Sequence, residues 1–123
     1  MKKANILIVE DDEWTAEQHI RVLKAAGYQA EYVVHTVEAL EVIDTRPPDL
    51  IVLDVLLTGQ NAFVLLHELR SHADLAGIPI ILCTNSADSL ADEDVAVYGV
   101  RQVLNKAIMQ PEDLIAAVKK TLL

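Results

Sequence analysis

Four short apolar runs, each ending on an acid, a hydroxyl or an ammonium, limit what this chain can fold into more than any other feature. Asn5 to Val9 (NILIV) ends on Glu10, Asp11 and Asp12, and Leu50 to Leu53 (LIVL) ends on Asp54. Ile80 to Cys83 (IILC) ends on Thr84, and Val103 and Leu104 lead through Asn105 to Lys106. Such runs of leucine and β-branched residues between turn signals read as strands buried on both faces, the pattern of a parallel sheet covered by helices. Open parallel sheets bind ligands beyond the carboxyl ends of their strands, where the strand order reverses. Glu10 and Lys106, far apart in the sequence, are therefore expected to meet at one edge.

Between the runs the periodicity becomes helical. Glu13 to Ala26 places Ala16, Ile20 and Leu23 on one face, and Gly27 supplies a C-terminal stop. Ala30 to Val34 reads as a second strand; Thr36 is suited to cap a helix through about Asp44, and Pro47 and Pro48 close that unit. After strand three, Thr58 to Asn61 reads as a loop before a helix from about Ala62 to Ser71 that carries Phe63, Leu66 and Leu69 to the core. Strand four begins after Gly77 and Pro79, a helix from about Leu90 to Tyr98 stops at Gly99, and strand five covers Gln102 to Asn105. Gln110 before Pro111, with Glu112 and Asp113 in the first turn, opens a last helix bearing Leu114, Ala117, Val118 and Leu122. Five strands alternating with five helices predict right-handed βαβ crossovers and a doubly wound α/β fold, a three-layer αβα sandwich forming one domain over residues 1–123.

Composition narrows the function. A chain that is 52% hydrophobic and 24% charged is globular in character, not disordered. No apolar run approaches the roughly 20 residues that span a bilayer. The start Met-Lys-Lys-Ala leads into a strand without a cleavable signal, which predicts a cytoplasmic protein that makes no membrane contact. A net charge of −9 opposes direct binding to nucleic acid. The single cysteine, Cys83, lies inside an apolar run and reads as a small buried hydrophobe.

The acids after strand one need a different account, because clustered carboxylates repel: unit charges about 4 Å apart cost about 4 kcal/mol at an effective dielectric near 20. Hard oxygen ligands with room for water suit Mg²⁺. Zinc does not fit, since His19, His35, His67, His72 and Cys83 show no ligand spacing. A carboxylate at the end of a strand can also act as a nucleophile and form an aspartyl phosphate. Transfer of a phosphoryl group then rests on positioning and neutralisation, with Mg²⁺, Lys106 and the Thr84 hydroxyl each facing one of its oxygens.

In these residues the chain resembles the receiver domains of two-component response regulators, including the chemotaxis regulator built of a receiver alone. The resemblance covers nearly the whole chain and rests on ILIVEDDE, PDLIVLD, IPIILCT and the Lys106 that follows Gly99 by seven positions. It implies a flavodoxin-like fold with strand order 2-1-3-4-5. Asp54 corresponds to the phosphoacceptor, Asp11 to the direct metal ligand and Glu10 to a metal-side acid acting largely through water. The main-chain carbonyl of Leu56 completes the implied Mg²⁺ set, while Thr84 and Lys106 match the switch hydroxyl and the phosphate-pairing lysine. The implied donor is a phosphohistidine on a sensor histidine kinase or phosphotransfer protein. Such a domain is a signalling switch that catalyses its own phosphorylation and dephosphorylation, not an enzyme with a separate substrate.

Several positions depart from the family pattern. After Asp54 the chain reads Leu57, Thr58, Gly59, Gln60, Asn61, Ala62 in place of a proline- and glycine-bearing loop. Ala107 follows Lys106 where the family has a cis proline, and a cis bond to a non-proline costs about 3 kcal/mol, so a trans loop is expected. Asn85 follows the switch threonine, and Val103 stands where an aromatic ring usually swings inward. Intact chemistry with an altered output route is the expectation.

A phosphorylation-independent interaction module is the alternative; the intact set of Glu10, Asp11, Asp54, Thr84 and Lys106 argues against it, while Val103 and Ala107 keep it open. A haloacid-dehalogenase-type phosphatase needs a second aspartate at the position of Leu56, and a flavodoxin needs a hydroxyl-rich phosphate loop after strand one. The chain closes on its fifth predicted helix, so output is expected through a downstream protein partner of unknown identity or a separate domain. Phosphorylation-dependent dimerisation stays open. Trp14, just past the acids, reads first as a packing or exposed residue whose fluorescence is expected to change when Mg²⁺ binds.

Overall fold

Each apolar run becomes a strand because its two sets of alternating side chains both find cover. A computed structural model describes residues 3–54, 59–84, 96 and 98–123, with the side chains of 59–63 left out. The strands are β1 (Asn5–Val9), β2 (Gln29–Val33), β3 (Leu50–Asp54), β4 (Ile80–Thr84) and β5 (Val100–Asn105). The helices among the described residues are α1 (Glu13–Ala25), α2 (Thr36–Thr45), α3 (Gly59–Ser71) and α4 (Pro111–Leu122). All strand pairs are parallel, in the order β2-β1-β3-β4-β5, so β1 lies between β2 and β3 at the point where the order reverses.

The pleat sorts the core into two halves. Leu7, Val9, Ile51, Leu53, Ile80 and Leu82 point to one face and pack with Ala39 and Ile43 of α2 and Leu65, Leu66 and Leu69 of α3. Their neighbours Ile6, Ile8, Leu50, Val52, Ile81 and Cys83 point to the other face and meet Leu23 of α1 and Leu114, Ala117 and Val118 of α4. The result is the expected flavodoxin-like αβα sandwich. Cys83 is buried, and its thiol is pushed up to about 12 by burial and then by the Asp54 charge, so it remains a neutral core group.

The helix ends follow local chemistry. Asp12 caps α1, its carboxylate accepting from the Thr15 N–H at 3.1 Å, and Gly27 takes φ +98 just past the helix, where a side chain would be strained. At α4, Pro111 occupies the first turn and the Gln110 N–H donates to Asp113 Oδ2 at 2.7 Å.

Several boundaries differ from the sequence reading. The cap of α2 is His35, with no side-chain cap hydrogen bond, and Thr36 is the first helical residue. Helix α3 starts at Gly59, which sits at the helix end, where its missing side chain costs least. Strand β2 runs one residue earlier than expected. Strand β5 starts at Val100, whose buried side chain joins the α2/α3 half of the core, and a bulge follows: Ile80 pairs with Val100, then Ile81 with Gln102. The expected helix from Leu90 to Tyr98 falls mostly outside the described residues.

A core truncation tests this packing. Ile51→Ala, at a fully buried position, should cost about 2–5 kcal/mol in urea unfolding with an unchanged m-value. Val37→Ala, on the exposed face of α2, should stay within about 0.5 kcal/mol; equal losses at both positions would contradict the layered core.

Candidate functional site

The acidic stretch after β1 divides its labour. Glu10 is buried, and its N–H continues the sheet by donating to the Val33 carbonyl at 3.1 Å. Asp11 is exposed, Asp12 is committed to capping α1, and Glu13 opens that helix. Hydrogen bonds from Thr15 hold the Asp12 carboxyl below the usual carboxylate range. Four consecutive acids in sequence are thus two site groups, a cap and a first-turn residue.

Asp54, at the end of the neighbouring strand, completes the cluster. One carboxylate oxygen each from Glu10, Asp11 and Asp54 lie within 4.8 Å of one another. Lys106 reaches in from beyond β5, its Nζ 2.6 Å from Glu10 Oε1 and 3.1 Å from Asp54 Oδ2. The side chains of Glu10 and Asp54 are only 2% and 5% exposed, so this ion pairing is poorly screened. Beside the carboxylates opens a cleft of about 690 Å³, walled by Val9 and Leu53 below and by His35 and Thr36 at the start of α2.

Electrostatics show what the cluster wants. Burial, followed by the hydrogen bond shared with Asp54, pushes the Glu10 carboxyl up to about 8, with Lys106 pulling the other way. Burial would lower the Lys106 ammonium, but the hydrogen bond to Glu10 and the Asp54 charge outweigh it, and its pKa is raised. Lys106 is therefore charged while Glu10 holds a proton over much of the neutral range. Three carboxylates against one ammonium leave an excess of two negative charges when all are ionised, which a divalent cation would neutralise. Oxygen donors at this spacing fit a hard cation. Among the described residues, no histidine or cysteine joins a metal-sized group.

The remaining expected residues lie where the strands place them. Thr84 is buried at the end of β4, and its carbonyl accepts from the Lys106 N–H at 2.9 Å, tying the lysine's backbone to the threonine's. The Lys106–Ala107 bond is trans, as expected without proline. A turn replaces the proline: Asn105 Oδ1 accepts from the Ala107 N–H at 3.0 Å, and the Asn105 carbonyl from the Met109 N–H at 3.0 Å. Sequence reading missed this role for Asn105, although an asparagine before a loop is an ordinary Asx-turn signal. Val103 is partly buried against the α2/α3 half of the core. Leu56 and Asn85 lie outside the described residues. Trp14 is 70% exposed at the start of α1.

Comparison with known proteins agrees with this geometry. The family model described as response regulator receiver domain matches residues 6–119. The DNA-binding response regulator MtrA of Mycolicibacterium paratuberculosis is 31% identical over 98% of this chain, which covers 52% of that protein. The chain thus spans about half the length of the curated relatives it matches. The signal receiver domain of a signal transduction histidine kinase from Syntrophus aciditrophicus superposes with a TM-score of 0.80 at 33% identity, covering 97% of this chain and 89% of that one. A CheY-like response regulator receiver domain from Methylobacillus flagellatus gives 0.82 at 25% identity, covering 98% and 99%. No described helix is long and apolar enough to cross a membrane. Because the match runs from the first core strand into the last helix, the chain belongs to the response regulator receiver domains, which are phosphorylated by histidine kinases and bind Mg²⁺ at an acidic site.

Proposed function

We propose that this chain is a phosphoacceptor switch in which Asp54 takes a phosphoryl group from a phosphohistidine of a sensor histidine kinase or phosphotransfer protein. The observation that carries the reading is the position of Lys106, whose ammonium contacts Glu10 and Asp54 at once, beside a cleft that Asp11 also lines. An Asp54 oxygen attacks phosphorus as the P–N bond breaks, and the electron pair leaves with the donor imidazole. Lys106 then turns from the carboxylates to a phosphoryl oxygen, and the Thr84 hydroxyl takes another. Glu10, Asp11, Asp54 and the Leu56 carbonyl would hold Mg²⁺, which would supply the charge that neutralises the carboxylates and the phosphoryl group.

Residues 1–123 act in this reading as one receiver unit. Output passes to a protein, because a net charge of −9 disfavours direct contact with nucleic acid. Val103 removes the aromatic rotation from the output route, which leaves the phosphoacceptor chemistry unaltered. In this reading the chain works in the cytoplasm.

Incubation with a small phosphodonor and Mg²⁺, followed by intact mass measurement, should add one phosphoryl group to the parent chain and none to Asp54→Asn. No adduct on the parent under any donor overturns the reading, and an adduct kept by Asp54→Asn moves the acceptor elsewhere.

The cation requirement has a pH signature. Between about 4.5 and about 8 the folded, metal-free chain keeps a Glu10 proton that the unfolded chain has released. Its stability should therefore fall as pH rises through that window, and Mg²⁺ should restore it most at the alkaline end. Thermal unfolding in chelator and in Mg²⁺ checks this, and Glu10→Gln should flatten the chelator profile. An identical profile in that variant would show that Glu10 is not the group concerned.

A further inference from the structure

On the side of Lys106 away from the cleft, a groove of about 320 Å³ runs between α1 and α4. Trp14 and His19 of α1 line one wall, Met109 and Leu114 the other, and Lys106 the end nearest the site. His19 Nδ1 is shut off from solvent and, among the described residues, has no hydrogen-bond partner. Among the lining residues only Lys106 carries a full charge, and only His19 titrates near neutrality. Gln18 and Thr15 from α1, and Gln110 and Pro111 from the start of α4, bring no charge to balance an imidazolium. From β3, Asp54 contributes an opposing field at longer range.

We propose that His19 is a proton-gated positioning residue: neutral, it packs the α1/α4 seam beside Lys106; protonated, it becomes a second cation in a groove whose lining offers no carboxylate to balance it. The neutral ring leaves one polar nitrogen unsatisfied, a modest cost, whereas the charged ring places a half-buried cation where no carboxylate lines the groove and repels the ammonium. Burial first, and then the Lys106 charge, hold the imidazole below the usual histidine range, with Asp54 working against them. A depressed histidine gives a fixed sign. The unfolded chain binds the proton first, so stability is complete above the ordinary histidine value of about 6.5 and is lost as pH falls below it. Acidification would thus loosen the seam and disturb the lysine on which phosphoryl binding depends. The effect at Asp54 rests on the phosphoacceptor reading; the change in the seam does not.

Three measurements on the full chain test this. NMR titration should show the His19 ring protonating at lower pH than a histidyl reference peptide in the same buffer; protonation at or above the reference overturns the proposal. The urea midpoint of the parent should drop on going from above to below about pH 6.5 by more than that of His19→Leu or His19→Gln. Equal drops overturn it, and the parent titration decides alone if both variants fail to fold. Finally, the rate of Asp54 adduct formation, parent over His19→Gln, should fall several-fold across the same pH interval in saturating Mg²⁺. A constant ratio with measurable adduct shows that His19 does not act through Lys106 and overturns the positioning role. Absence of adduct from both proteins refutes the phosphoacceptor reading instead, and the titration and urea results then decide the seam.

Discussion

The central strands of a parallel sheet covered on both faces have no room for polar side chains in their interiors, and this constraint organises the whole molecule. Along β1, β3 and β4 every core position is filled by an aliphatic side chain or Cys83, alternating between the α2/α3 half and the α1/α4 half. In these three central strands polar groups stand only at the ends, and because the strands are parallel their carboxyl ends lie on the same edge. Glu10, Asp54, Thr84 and Lys106 are therefore neighbours as a consequence of burial, before any chemistry is considered.

What collects at that edge is an imbalance of charge. Asp12, which might have been a fourth ligand, is withdrawn by its capping bonds to Thr15. The other three carboxylates have only Lys106 to offset them, and two of them are nearly out of water. Desolvation raises the cost of every unneutralised charge, so Glu10 retains a proton instead of sharing the ammonium as a full ion. A site in this condition carries an excess of negative charge that a divalent cation would neutralise.

The lysine is aimed by a device that periodicity does not reveal. Strict alternation along β5 would put Val100 and Val103 on opposite faces. The bulge between Ile80 and Ile81 leaves Arg101 without a partner in register, so Val100 and Val103 share the α2/α3 face while Leu104 turns to the α1/α4 face. Lys106, two residues after Leu104, emerges beside the groove that also holds His19 and Trp14. The trans turn built by Asn105 then does the work that a proline does in the family pattern.

The strands, three of the four described helices to within a residue at their ends, and the set of strand-end polar residues were legible in the sequence, because burial and helical periodicity are local patterns of side-chain type. The division among the acids was not: four adjacent carboxylates look alike until the chain turns into α1 and commits Asp12 as its cap. Nor was the bulge legible, since an unpaired residue is defined by its neighbour strand and not by its own chemistry. His19 carries no signal in the sequence beyond its lack of ligand spacing, and only in the fold is one of its nitrogens sealed from solvent without a partner among the described residues. Sequence by itself determined which groups reach the sheet edge. Tertiary structure decided their protonation and pairing, because both depend on distance and on loss of water, which no local pattern encodes.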